Sequence, residues 1–315
     1  MKIALIVLLG IAAAYLVLIL APAAVFFLVI FSKRKRGGVA VLDTVHPYYA
    51  PFADRLKDAA DYLQALPSRT LRMKAPDGVR LCGRFYDAGG SDTVVFLHGY
   101  NSPMLSTYGA QAADLRRQGY NLCFLYQRAH GGSEGTTTMG LREAEDLLAW
   151  IPWLQKQTPT RRVLLYGVSM GSATVAYASD RLDPAIVRGM VLDCGYASPD
   201  EQFQQEMRRR HLPAALIRPW LIWFARWFCR VDITRPAADA LGKTAVAALF
   251  FHGEADVTVP VEQGRRNFDA CASPKEWCSI PGAAHTVCYL TGDEITRQRL
   301  RDFARRCFEE RKLEV

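Results

Sequence analysis

The stretch Arg162-Val-Leu-Leu-Tyr-Gly-Val-Ser-Met-Gly-Ser172 constrains the fold more than any other. An apolar run, Val163 to Tyr166, stops at Gly167. Val168, Ser169, Met170 and Gly171 follow, and then a helix-forming segment from Ser172 to Leu182. A serine on a sharp strand-to-helix turn must hold a strained backbone, and the helix can close on the strand only if its neighbours lack bulk. Gly167 and Gly171 supply that room. The start of the helix also offers unpaired backbone N–H groups to an anion. In this context G-x-S-x-G is the pattern of an exposed serine nucleophile. Elsewhere it is a glycine-bounded turn, so the rest of the chain decides.

The rest of the chain alternates. Arg69 to Lys74 and Val79 to Tyr86 read as strands around the turn Ala75-Pro-Asp-Gly78. Further strands are expected at Thr93–Leu97, Asn121–Tyr126, Val163–Tyr166, Val187–Leu192, Ala245–Phe251 and Glu276–Ile280. Helices are expected at Leu105–Gln118, Gly140–Gln155, Ser172–Leu182 and Val261–Ala270, and from Glu294 to about Lys312. Short apolar strands alternating with helices imply an α/β fold, a mostly parallel sheet covered on both faces. An amphipathic helix, Asp54 to Leu66, precedes the first strand and ends at Pro67.

The N-terminus is of another kind. Ile3 to Phe31 carries no charge over 29 residues, about 43 Å of helix against a bilayer core of roughly 30 Å. A cleaved signal has a shorter apolar core. Ala21-Pro-Ala-Ala24 resembles a cleavage site, but the apolar run continues past it, so an uncleaved single-pass anchor is expected. Lys33-Arg-Lys-Arg36 follows the span, whereas only Lys2 and the amino terminus precede it. That bias puts the C-terminal side in the cytoplasm. The chain's net charge of +8 invites a nucleic-acid reading, but no nucleic-acid module accompanies it, and a basic face near anionic lipid fits better. None of the eight cysteines forms C-x-x-C or takes zinc spacing with histidine. Cys123 and Cys194 read as buried, and a disulfide among Cys271, Cys278 and Cys288 is open.

Three stretches complete the serine's surroundings. His98-Gly99-Tyr100 ends an apolar strand, so Tyr100 N–H can join Met170 N–H as an oxyanion donor, with His98 orienting the loop. Phe251-His-Gly-Glu-Ala-Asp-Val-Thr-Val-Pro260 brings Asp256 to a strand end as the triad acid, with Glu254 and Asp193 as competitors. Of six histidines, only His285 lies in a loop after that acid, ahead of the last helix. The order Ser169, Asp256, His285 marks one fold among triad enzymes.

These pieces resemble the α/β-hydrolase superfamily, and most of all its membrane-anchored branch similar to serine aminopeptidase-type hydrolases. The matching residues are His98-Gly-Tyr-Asn101, Arg128-Ala-His-Gly-Gly-Ser133, Gly167-Val-Ser-Met-Gly171, Asp193-Cys-Gly-Tyr-Ala-Ser198, His252 to Pro260 and Pro281-Gly-Ala-Ala-His285. The resemblance covers about residues 69–312. It implies the sheet order, a lid after the sixth strand and the Ser-Asp-His roles. Tyr126 departs from it, since relatives usually carry an aspartate there. Altered packing is expected at Tyr126, without loss of catalysis.

The expected organisation is an anchor with its basic flank over 1–36, a linker and amphipathic helix over 37–68, and the hydrolase domain over 69–315. The lid would be 196–241, rich in aromatics: Trp220, Trp223, Phe224 and Trp227 recur at helical spacing. That stripe reads as packing on the core, or as a lid over an acyl pocket or against a membrane. The expected activity is a serine hydrolase of carboxylic esters, lipid or acyl-glycerol esters among them, needing no cofactor or metal. The alternatives are a peptidase that uses Glu201 or Glu206 to hold a substrate amine, and a catalytically silent tethered binding module.

Overall fold

The computed structural model describes residues 2–31 and 42–309. The basic run Lys33–Arg36, the Gly37-Gly38 joint and Lys312 lie outside the described residues. The chain opens with α1 (Lys2–Tyr15), continued without a break by a π turn (Leu16–Leu20) and α2 (Ala21–Phe31), and then α3 (Ala53–Ala65). The body follows as β1 (Arg69–Lys74), β2 (Arg80–Tyr86), β3 (Asp92–Leu97), α4 (Met104–Arg117), β4 (Asn121–Tyr126), α5 (Leu141–Gln157), β5 (Arg162–Val168), α6 (Met170–Ala178) and β6 (Val187–Asp193). After it come α7 (Pro199–Arg209), α8 (Ala214–Phe224, prolonged by a π turn to Cys229) and α9 (Ala238–Leu241). The chain closes with β7 (Ala248–Gly253), α10 (Val261–Ala270), β8 (Lys275–Ile280), α11 (Cys288–Thr291) and α12 (Asp293–Phe308).

The eight strands form one sheet in the order β1-β2-β4-β3-β5-β6-β7-β8. Only β2 runs against the others. β3 to β7 are buried almost end to end, because helices cover both faces, whereas β1 at the edge alternates exposed and buried residues. One core holds Trp150, Leu165, Met170 and Met190 beneath α5 and α6. The other holds Phe96, Tyr108, Tyr166 and Phe251 beneath α3, α4 and α12.

Several local expectations shift. The helix after the serine starts at Met170 rather than Ser172, because the positive φ of Ser169 (54°) ends the strand and turns the chain into the helix within one residue. The region 196–241 also contains α7, in addition to the aromatic helix expected there. Its signals are plain: Pro199 opens the helix, Ser198 Oγ caps it by accepting from Glu201 N at 3.2 Å, and Phe203 and Met207 turn inward. All eight cysteines are free, so no disulfide links Cys271, Cys278 and Cys288. They stand at the end of α10, within β8 and at the start of α11.

The aromatic stripe divides between two surroundings. Phe224 is buried with Ile217 and Leu221, but Trp223 and Trp227 are 46% and 69% exposed. The N-terminal helix divides as well. Lys2 to Leu18 is exposed, whereas Ala23, Phe27 and Phe31, at four-residue spacing, are buried on the body. Phe27 lies 5.4 Å from Phe224, and Phe31 5.8 Å from Phe203. Each phenylalanine so buried contributes about 1.5–3 kcal/mol. The whole helix Lys2–Phe31 is long and apolar enough to cross a bilayer, a test that a signal sequence also meets.

Candidate active site

Ser169 stands where β5 gives way to α6, with φ 54° and ψ −114°, outside the regions that L-residues prefer. Two backbone hydrogen bonds hold it there. Ser169 N donates to Asp193 O at 2.9 Å, and Ala173 N donates to Ser169 O at 3.0 Å. The flanking glycines are required by contact. A Cβ on Gly171 would collide with the carbonyl of Leu97, and one on Gly167 with the carbonyl of Gly171.

The loops after β7 and β8 bring the other two expected residues to this serine. His285 Nε2 lies 3.0 Å from Ser169 Oγ, and His285 Nδ1 lies 2.6 Å from Asp256 Oδ2. A carboxylate accepts, so Nδ1 carries the hydrogen and the Nε2 lone pair faces the serine hydroxyl. The Asp256 side chain is wholly buried. Its Oδ1 accepts from Thr258 N at 2.9 Å and Val259 N at 2.8 Å, which fixes the carboxylate on the histidine.

The competing acids are engaged elsewhere. Glu254 is exposed and accepts from Ser279 Oγ at 2.9 Å. Asp193 is fully buried beside the Tyr166 hydroxyl, 3.2 Å away, and its Oδ1 has no hydrogen-bond partner. Burial pushes the Asp193 carboxyl up to about 6.

The loop after β3 lies against the elbow. A Cβ on Gly99 would sit 3.3 Å from that of Ser169, so the loop backbone just before Tyr100 passes beside the serine, and Met170, the next residue after it, opens α6. Two buried imidazoles fix this loop. His98 Nδ1 donates to Gly99 O at 2.7 Å, and its Nε2 accepts from Gln127 N at 3.0 Å. His130 Nδ1 donates to Arg128 O at 2.7 Å, and its Nε2 accepts from Asn101 N at 3.0 Å. Burial first, and the neighbouring His130 second, lower the His98 pKa to about 3, so it stays neutral in this bonding pattern. His98 therefore orients the loop, as expected.

Sequence reasoning missed His130 and His252. His130 sits in the Arg128-Ala-His-Gly run, where its signal was visible but its acceptor role was not. His252 Nε2 donates to Val259 O at 2.8 Å, bracing the turn that carries Asp256, and it packs on the bare backbone of Gly264.

Cys194, Asp256 and His285 offer three ligand-type atoms within 4.8 Å of one another. Both nitrogens of His285 are already engaged, and burial holds the Cys194 thiol well above its ordinary pKa, so this trio is not a ready metal site.

The sheet order, the elbow and the loop order define an α/β-hydrolase fold. A family model of that fold matches residues 92–239, from β3 to α9. The chain is 25% identical over 260 residues to the uncharacterized protein Rv2307c of Mycobacterium tuberculosis, covering 81% of this chain and 85% of that one. It is 22% identical over 246 residues to the uncharacterized protein YfhR of Escherichia coli, covering 75% and 80%. Among solved structures, the Pyrococcus furiosus esterase Pf2001 superposes with a TM-score of 0.66 at 22% identity, over 88% of this chain and 98% of that one. An acylaminoacyl peptidase of Pyrococcus horikoshii superposes with a TM-score of 0.55 at 15% identity, over 77% and 41%. The chain thus has the α/β-hydrolase fold, as expected.

Proposed function

We propose that the protein is a membrane-tethered serine hydrolase of carboxylic esters, with Ser169 as nucleophile, His285 as general base and acid, and Asp256 as the orienting acid. The observation that carries this reading is the continuous Ser169–His285–Asp256 hydrogen-bond chain at 3.0 and 2.6 Å. His285 Nε2 takes the Ser169 proton as Oγ attacks the acyl carbonyl. The oxyanion forms beside the N–H groups of Met170 and Tyr100. His285 then gives the proton to the leaving alcohol, and an acyl-enzyme remains. The same histidine activates water to release the acid. Asp256 stays ionised and steadies the imidazolium as it forms.

The catalytic domain on this reading is 69–315, with 196–241 as lid and 1–36 as anchor. The charge bias after the span supports a cytoplasmic active site, which protease accessibility in intact cells would check.

The ester reading is favoured over the peptidase one by two carboxylates. Glu201 is paired with Arg266, and Glu206 with Arg209 and Arg210, so neither stands ready for a substrate amine. A silent binding module has no use for the aligned triad.

A fluorophosphonate probe is expected to label Ser169 in the folded protein and to leave Ser169→Ala unlabelled. Folded wild-type protein that resists the probe would remove the hydrolase reading. Esters of graded chain length beside aminoacyl anilides would then rank the substrates.

A further inference from the structure

We propose that the outer face of α8 and its π extension lies in the interfacial layer of a lipid bilayer beside the N-terminal helix, and that acyl substrate reaches Ser169 from the membrane rather than from water. The second half of this inference rests on the ester-hydrolase reading above. The first half does not.

The composition of α8 comes first. Its eleven residues, Ala-Ala-Leu-Ile-Arg-Pro-Trp-Leu-Ile-Trp-Phe, carry one charge, Arg218, which is bound to Asp200 at 2.9 Å. Ile217, Leu221 and Phe224 fill the core on one side. On the other side Leu216, Trp223, Trp227 and Phe228 are 46–69% exposed. A helix apolar all round belongs in a protein core or in lipid, and here only one side has a protein core. Trp223 and Trp227 lie nearly parallel, with ring centroids 5.9 Å apart, and both face outward.

That surface is continuous with the N-terminal helix, which is why the occupant is lipid. The exposed part of the helix, Lys2 to Leu18, is about 26 Å long, close to the hydrocarbon thickness of a bilayer. Near its end Tyr15 meets α8, with Trp220 Nε1 donating to the Tyr15 hydroxyl at 2.5 Å. Tyrosine and tryptophan gather at the level where a span meets the headgroups, since one end of each ring is apolar and the other polar. Tyr15, Trp220, Trp223 and Trp227 make such a belt, and the buried residues Ala23, Phe27 and Phe31 then fall on the protein side of it. Arg230, exposed, and Arg226, exposed and paired with Asp232 at 3.1 Å, flank Trp227.

The Tyr100 hydroxyl donates to the carbonyl of Val29 at 3.2 Å, so the last turns of the helix touch the loop that lies against Ser169. Phe31 packs on Phe203 of α7 beside it. Phe228, next to Trp227, lies 6.0 Å from Phe27, two residues before Val29, so the Trp227 end of the belt is the end nearer the serine loop.

The test uses full-length protein in phosphatidylcholine vesicles whose acyl chains are brominated close to the glycerol. Tryptophan emission is compared between wild type and a Trp223→Phe/Trp227→Phe variant, which keeps both rings aromatic and the helix packed. The bromolipid is expected to quench wild type, and the quenched fraction is expected to fall by half or more in the variant. Equal quenching in both proteins would overturn the membrane placement. So would free access of aqueous iodide to these tryptophans, or their protection from both quenchers, which would assign the face to a protein partner or a second copy.

In the activity arm, Trp227→Gln is expected to lower turnover of a long-chain ester carried in the vesicles about tenfold, a change of about 1.4 kcal/mol. Turnover of a short water-soluble ester should be unchanged. Equal effects on both esters, or on neither, would overturn the membrane route. If wild type cleaves no ester at all, the hydrolase reading fails, while the quenching arm still decides where α8 lies.

Discussion

Asp256→Asn is expected to lower ester turnover by about four orders of magnitude, the scale on which a triad loses function when its histidine is held in the wrong tautomer. An amide at this position can present N–H to His285 Nδ1 where the carboxylate accepted. The Nε2 lone pair then no longer faces Ser169. The fold should survive, because Asn can still accept from Thr258 N and Val259 N through its oxygen. Asp193→Asn provides the contrast, with turnover within about twofold of wild type, since Asp193 makes no hydrogen bond to His285. Its effect falls on stability instead. Burial raises the Asp193 pKa to about 6 from an ordinary 3.8. A raised carboxyl favours the folded state fully below 3.8, and that contribution is lost as pH rises through about 6. At pH 8 the buried carboxylate therefore carries a penalty of about 3 kcal/mol, which the neutral amide removes. Thermal unfolding should show Asp193→Asn more stable than wild type at pH 8, with the gain gone by pH 4. Full activity in Asp256→Asn, with loss in Asp193→Asn, would move the acid to β6.

Gly171→Ala is expected to destabilise the protein by about 3 kcal/mol or more, enough to prevent soluble expression. The new methyl would meet the backbone carbonyl of Leu97, which belongs to β3 at the centre of the sheet and cannot yield as the end of a flexible side chain would. Gly90→Ala is the control. Gly90 is exposed, with only the Gly119 carbonyl, 3.9 Å away, near its would-be Cβ, and its cost should stay within about 0.5 kcal/mol. Denaturant midpoints of the two variants against wild type check this. A Gly171→Ala protein of native stability would mean that α6 sits farther from β3 than the geometry described above.

The elbow and the strand ends were legible because each rule there is local. Glycine spacing around Ser169, an apolar run before His98, and loops after β7 and β8 all leave marks within about ten residues. Asp256 and His285 could be chosen from sequence because chain order excluded most rivals. What sequence could not separate was one apolar environment from another. Phe27 facing Phe224 and Val25 facing outward look alike in a run of hydrophobic residues, so the division of the N-terminal helix was hidden. The same holds for Trp223 and Phe224, adjacent in sequence and opposite in burial. The two bracing histidines were illegible for another reason. His130 and His252 act by hydrogen bonds to backbone atoms, Asn101 N twenty-nine residues back and Val259 O seven residues on, and no spacing rule reports those. The start of α7 is marked in the sequence at Ser198-Pro199.

The backbone at Ser169 has a consequence of its own. A φ of 54° with a ψ of −114° is a conformation glycine reaches freely and serine does not. The strain there is on the order of 1–3 kcal/mol. Replacing the serine with glycine would relax it, leave the two backbone hydrogen bonds in place and yield a protein that is inert but harder to unfold. Durability and chemistry thus pull this one position in opposite directions. The folded state tolerates a serine at this turn; it does not need one.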